Sequence, residues 1–346
     1  ENIPRPEYPR PQFERTDWVN LNGKWSFELD LNHVGLEKGY AESKGFQGTI
    51  LVPFSPESEL SGVGHTDFVT GIWYHRTIDV PASWEGKRVL LNFGAVYYQS
   101  DVFVDGKFVG RHFGGSSSFS YDITDFAAPG TTHDLVVYAQ SDLRGMRQPA
   151  GKQSLVLGSH DCEYTRTTGI WQTVWMEFMP RTHVEKVKYV PSLEQSALSV
   201  TAALSGAAEL KLTAKYEGRV VGEASVQAGG GTVQVHLPLS ELHLWELGSG
   251  RLYDLELTYG DDHVHSYFGM RSVRLEGMKF MLNGKSVFQR TVLDQGFYPD
   301  GIYTAPSDQA LENDIHLSMA CGFNGARLHE KIFEERFLYH CDRLGY

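Results

Sequence analysis

Four polar side chains lie where strand patterns end. Asp294 and Gln295 follow the run 287–293, and Arg327 and His329 close the run that starts at Phe323. A carboxylate, an amide, a guanidinium and an imidazole in such places can donate and accept hydrogen bonds to a polar ligand. Glu330, Glu334 and Glu335 are the carboxylates nearest to them and could serve acid–base chemistry. They fall where a helix pattern begins, and the positive end of a helix dipole favours acidic residues there for stability alone. No catalytic pair is assigned among them. The run Gly114-Gly115-Ser116-Ser117-Ser118 lacks the lysine of a phosphate loop. The 14 histidines form neither H-E-x-x-H nor a tight cluster with cysteine, so the sequence names no metal ligand.

The elements that carry these residues differ from those before them. Residues 23–29 and 72–80 alternate apolar and polar, as half-buried strands do. Val102 to Val109 reads as a hairpin around Asp105-Gly106, since a two-residue turn needs positive φ. Runs at 135–138 and 174–178 complete a set of short strands with Gly/Pro turns, the pattern of a sandwich or jelly roll. Trp18, Trp25, Trp73, Trp171 and Trp175 lie on or beside these strands and read as core. A second block follows Pro180, with strand patterns at 184–190, 198–204, 209–216, 233–237 and 253–257. Glu217-Gly218 reads as a turn and Gly229-Gly230-Gly231 as a flexible loop. The span suits one small sandwich of ~100 residues.

From about residue 275 the rhythm changes. Asn283-Gly284 marks a second hairpin, and Val287 to Leu293 reads as a strand running into Asp294. Ser307 is placed as a helix N-cap. Leu311, Ile315 and Met319 share one helix face, and Gly322 stops that helix. Phe323 to Leu328 is the next strand, and Phe333, Phe337, Leu338 and Cys341 predict a second helix ending before Gly345. Strand, helix, strand, helix is the opening of a parallel α/β unit. Two such units cannot bury both faces of a parallel sheet, so the sequence reads as stopping early in a larger one.

Charge and cysteine content narrow the partners. A net charge of −12 repels phosphate backbones and anionic membranes, which argues against nucleic acid and membrane partners. No run of 18 apolar residues occurs. Three cysteines without a C-x-x-C pair suit a reducing, cytoplasmic compartment, with secretion or a periplasmic location left open.

Six segments resemble glycoside hydrolase family 2, the family of β-galactosidases, β-glucuronidases and β-mannosidases. They are Trp18 to Phe27, Gly71 to Arg76, Gly169 to Trp175, Phe268-Gly269-Met270-Arg271, Phe280 to Lys285, and Gly322 to His329. The resemblance implies a mainly β fold: a jelly-roll sugar-binding-type domain over 1–180, an immunoglobulin-like sandwich over 181–272, and over 273–346 the first two β/α units of an incomplete TIM barrel. It also implies retaining hydrolysis of β-glycosides, with a β-galactosidase-like specificity preferred on family frequency. The nucleophile and acid/base carboxylates would lie on later barrel strands, past Tyr346, so the chain alone is expected to be inactive. The competing reading is a non-catalytic carbohydrate-binding or oligomerisation module.

The same resemblance makes Asp294, Gln295, Arg327 and His329 substrate-binding candidates, since a barrel's site forms at the C-terminal ends of its strands. A structural ion pair for Arg327 and a structural hydrogen bond for His329 remain alternatives. It adds Glu163, on a loop that the first sandwich lends to the site, with a plain loop charge as its alternative. Asp67-Phe68, before Gly71, is a weaker loop candidate. Family members carry an Arg-His pair or similar at the first strand end and Arg-x-x-His at the second. This chain has Leu293-Asp294-Gln295-Gly296 and the shorter Arg327-Leu328-His329, a departure that bears on substrate specificity. No cofactor is expected, although some relatives bind Mg²⁺ or Na⁺. A carbohydrate substrate and a homo-oligomer are expected.

Overall fold

The computed structural model describes residues 2–145 and 147–346. Its first 180 residues build a sandwich. Gly48–Val52, Gly23–Leu29, Gly71–Asp79, Thr132–Gln140, Gln99–Val104 and Lys107–Phe113 form one antiparallel sheet in that order. Trp18–Asn20, Val174–Met179, Arg88–Phe93 and Phe119–Asp122 form the second. Side chains alternate between the faces of a strand, and the Gly71–Asp79 strand uses both. Ile72, Tyr74 and Ile78 enter the core between the sheets with Trp25, Leu91, Phe93 and Met176. Trp73 points the other way and joins Phe103, Val136 and Tyr138 beneath Tyr40 and Phe46. Its ring stacks on Tyr138 at 4.2 Å and its N–H donates to Asp30 at 2.9 Å.

The second sandwich pairs a three-stranded sheet with a four-stranded one. His183–Ser192, Ala197–Ser205 and Gly231–Pro238 face Arg219–Ala228, Ala208–Tyr216, Tyr253–Tyr259 and Asp262–Phe268. Leu198, Val200, Ala202 and Leu204 meet Leu210, Leu212 and Ala214 at the period of two that a pleated strand imposes. Arg219–Ala228 and Asp262–Phe268 are strands that the sequence pattern did not show. The glycine triplet is a tight connection rather than a flexible loop, since Gly231 already opens the strand Gly231–Pro238.

A three-stranded meander, Val273–Glu276, Lys279–Leu282 and Lys285–Val287, leads to the strand–helix units. The Thr291–Asp294 strand, helix α1 (Asp308–Ala320), the Gly325–Leu328 strand and helix α2 (Glu335–Leu344) follow. The two strands pair in parallel. Both are shorter than expected because Asn324 takes over the chain before them. Its amide donates to Phe288 O at 2.9 Å and accepts from Arg290 N at 2.9 Å. Ser307 caps α1 by accepting from Ala310 N, and Leu311 and Ile315 are buried against Phe333 and Phe337.

The N-terminal segment straps these parts together. Arg5 bonds Glu334 before α2, Tyr8 and Arg10 bond the buried Glu177 of the first sandwich, and Arg15 bonds Asp262 of the second.

Candidate functional site

The parallel pairing fixes where the candidate side chains emerge. Leu293 lies opposite Arg327 and Asp294 opposite Leu328, and His329 N donates to Asp294 O at 3.0 Å. Leu328 packs on the helix side with Leu311 and Phe337. Alternation then sends Arg327 and His329 to the open face and Asp294 to the helix side. The Asp294 carboxylate acts electrostatically there, raising the proton affinity of Asp314, Cys341 and Tyr346 after burial's larger effect. It also accepts from Gly296 N at 2.8 Å, which closes the turn that follows Gln295. The Gln295 side-chain oxygen is shut away from solvent without a hydrogen-bond partner among the described residues.

On the open face Arg327 Nη1 lies 3.0 Å from His329 Nδ1. A guanidinium can only donate, so Nδ1 accepts and the ring proton belongs on Nε2. That Nε2 lies 3.2 Å from the Glu330 carboxylate, which is also 3.9 Å from Lys152 Nζ. Glu330 sits at a φ of 56°, in the left-handed region that costs a side-chain-bearing residue conformational energy. Strain of that kind clusters at ligand-binding positions.

The first sandwich reaches this rim. A ribbon runs out through Lys152 and back through Tyr164, paired by Ser154 N to Tyr164 O at 2.7 Å and Tyr164 N to Lys152 O at 2.8 Å. Tyr164 packs on Phe297 with ring centroids 4.3 Å apart. Thr304 Oγ1 donates to the Trp171 carbonyl at 2.5 Å. Glu163 rides on the same ribbon, but its carboxylate pairs with His160 at 3.5 Å rather than with Arg327 or His329. Asp67 lies on the neighbouring loop, whose Phe68 ring is covered by Arg166 and Arg144 at 3.9 and 3.6 Å.

Lys331 is the rim residue that sequence reasoning missed. Its ammonium donates to Gly296 O. It lies 4.0 Å from the Tyr303 ring centroid and 5.1–5.5 Å from those of Phe297, Phe333 and Trp171. Burial pulls its pKa down to about 7, against the carboxylates of Asp294 and Glu334. A lone lysine between Glu330 and Ile332 gives no sequence signal of this, because its neighbours come from distant segments.

The open cleft of about 1140 Å³ is elsewhere. It runs between the second sandwich and α2, past Tyr189, Trp245 and Tyr267, and follows the helix side of the strands from Thr291 and Gly325 to Leu328. Neither Arg327 nor His329 lines it, so its size does not make it the site. Among the described residues no group of three His, Cys, Asp or Glu is placed to hold a metal ion, and no helix is long and apolar enough to cross a membrane.

Two sandwiches ahead of a parallel strand–helix pair can now be set beside known proteins. Residues 18–180 match the sugar binding domain of glycosyl hydrolases family 2, and residues 182–271 match the family's following domain. The chain belongs to glycosyl hydrolase family 2. Among its family 2 relatives, the β-glucuronidase of Paenibacillus borealis is 24% identical over 94% of this chain and 57% of its own length. The β-glucuronidase of Mus musculus is 24% identical, with 94% and 55% covered. A β-galactosidase of Bacteroides ovatus is 25% identical, with 96% and 40% covered. The fold matches the apo β-glucuronidase structure from Ruminococcus gnavus with a TM-score of 0.83 at 20% identity, over 99% of this chain and 60% of that one. The chain thus spans little more than half the length of these β-glucuronidases.

Proposed function

We propose that this chain is the front part of a retaining β-glycosidase, in which the two strand–helix units open a (β/α)₈ barrel. The observation that carries the reading is the rim itself. Arg327 and His329 stand on the open face at the carboxyl end of the Gly325–Leu328 strand, beside Asp294 and Gln295 at the end of its parallel partner, where a barrel builds its site. Aromatic and polar groups of a family 2 sugar-binding domain close one side of it. Hydrolysis with retention needs two carboxylates about 5–5.5 Å apart. The family resemblance assigns that pair to later barrel strands, and here Glu334 is held by Arg5 while Glu330 lies beside His329. This chain's residues then bind and orient the sugar. Arg327 and His329 offer hydrogen bonds to its hydroxyls, Gln295 only through its amide nitrogen because its oxygen is buried, and Tyr164 and Phe297 form an apolar wall. Asp294 supports that rim from the helix side.

Relatives named as β-glucuronidases and as a β-galactosidase make glucuronides and galactosides the first substrates to try. The test compares this chain with a version extended to the natural stop codon. Both are checked by intact mass and assayed on a panel of nitrophenyl β-glycosides. Hydrolysis by the extended protein alone is expected, and its preferred glycoside names the sugar. Turnover by neither version refutes the enzyme reading in favour of a carbohydrate-binding module. Turnover by the 346-residue chain places the carboxylate pair within it and refutes the assignment above.

A further inference from the structure

The Gly296 peptide is gripped from both ends. Its N–H is held by the Asp294 carboxylate at 2.8 Å, and its carbonyl accepts from the Lys331 ammonium. Gly296 itself has a φ of 62°, and a Cβ built on it would stand 2.6–2.7 Å from the end of Lys331 and from the Phe333 ring. The turn therefore has the one residue type that lets the ammonium come this close.

The aromatic rings around that ammonium come from three parts of the chain. Trp171 belongs to the closing segment of the first sandwich, Phe297 and Tyr303 to the connection before α1, and Phe333 to the connection before α2. In its protonated form the amine is attracted to each of these aromatic rings, so its charge then draws the three segments to one point. No carboxylate pairs with it within salt-bridge distance among the described residues. Asp294 and Glu334 act on it only at longer range. Gln295 lies immediately before the gripped peptide, and His329 two residues before the lysine.

From this arrangement we infer that Lys331 is the positioning residue of the sugar-binding rim: it does not touch substrate, but holds Gln295 and His329 in register by clamping Gly296 to the aromatic box. The inference rests on the glycosidase reading. It ties the rim's strand-end turns, which lead into different helices, to the closing segment of the first sandwich through Trp171.

The test uses the protein extended to its natural stop codon and the nitrophenyl glycoside it cleaves best. Lys331→Met and Gly296→Ala remove the clamp in two independent ways, one by deleting the charge and the other by pushing it aside. Both variants are expected to raise KM about tenfold, with kcat falling less, in protein whose circular dichroism matches the wild type. Lys331→Arg, which keeps a cation over the rings, is expected to recover part of the lost affinity. A residue needed only for stability would lower the active fraction, so kcat would drop with the folded fraction while KM stayed unchanged. That pattern, or an unchanged KM in both variants, overturns the inference. A wild-type extended protein that cleaves no β-glycoside refutes the glycosidase reading and with it the premise, an outcome distinct from the variant results.

Discussion

Arg5 grips Glu334 with two nitrogens, Nη1 and Nη2, each 3.1 Å from its own carboxylate oxygen. The two residues are 329 positions apart, and Arg5 is only 3% exposed. The sequence read Glu334 as free charge at a helix start. In the fold its carboxylate is the anchor by which the N-terminal strap holds α2. Breaking a buried, hydrogen-bonded pair from one side strands the other charge and costs ~3–5 kcal/mol. Glu334 keeps some exposure, so Glu334→Gln is expected to cost about 2 kcal/mol and Arg5→Ala more, since Arg5 also bonds Glu7 and Ala305 O. Urea unfolding followed by tryptophan fluorescence measures both, and equal stability in the two variants and the wild type would show that the strap does not hold α2.

Glu57 gives the fold a pH dependence of known sign. It is 2% exposed, accepts from Thr168 N at 3.1 Å, and its other oxygen has no partner among the described residues. Burial pushes its carboxyl from 4.5 up to about 7, over the opposing hydrogen bonds from Thr168. The folded state therefore holds this proton more tightly than the unfolded chain does. The stability it contributes is complete below pH 4.5 and is lost as pH rises to about 7, a change on the order of 3 kcal/mol. Glu57→Gln cannot ionise. The stability difference between variant and wild type is expected to move in the variant's favour between pH 5 and pH 8, measured by denaturant melts at each pH. A difference that stays constant across that window would show that Glu57 ionises normally.

Asp308 has the opposite sign. It opens α1 and is held by Arg336 at 2.6 and 2.9 Å and by His340 at 2.9 Å, both from α2. Burial opposes its charge, but the bonds from His340 and Arg336 outweigh it and hold the carboxyl well below the usual range. Its stability is present above the unfolded carboxylate value near ~4 and is lost only as pH falls below that. Asp308→Asn should loosen the contact between α1 and α2 by ~1–3 kcal/mol at pH 7. The deficit is expected to shrink toward pH 3, which thermal melts of the two proteins would show.

The parts of this molecule legible in its sequence are those set by neighbouring residues. Asp105-Gly106 and Asn283-Gly284 were readable as hairpins because two-residue turns demand positive φ. Their angles are 49° and 77°, and 51° and 76°. Ser307 was readable as a cap for a similarly local reason. The Arg219–Ala228 strand was hidden because Gly222 and a bulge opposite Ala214/Lys215 break its alternation. Arg327 and His329 were visible as polar groups at a strand end. The side that Asp294 takes was not, because it depends on where the helices pack. Lys331 was invisible, since its box is assembled from residues 171, 297, 303 and 333. Contacts between distant segments leave no local periodicity to read.

The assignment of His329 makes a prediction that separates the rim from the ribbon beside it. Arg327 fixes the ring proton on Nε2, the nitrogen that faces Glu330. That Nε2–H lies 3.2 Å from the Glu330 carboxylate, so a sugar hydroxyl that accepts it shares or displaces that carboxylate. A hydrogen bond of this kind is worth ~0.5–1.5 kcal/mol, or roughly two- to twelvefold in binding. In the extended enzyme His329→Ala is expected to raise KM within that range, and Arg327→Met to do the same by freeing the ring to turn or change tautomer. Glu163→Gln should change KM less than twofold, because that carboxylate is committed to His160 3.5 Å away. Steady-state kinetics on one glycoside for the three variants decides the matter. If Glu163→Gln is the damaging substitution and His329→Ala is silent, the sugar lies against the ribbon of the first sandwich, and the strand ends are scaffold.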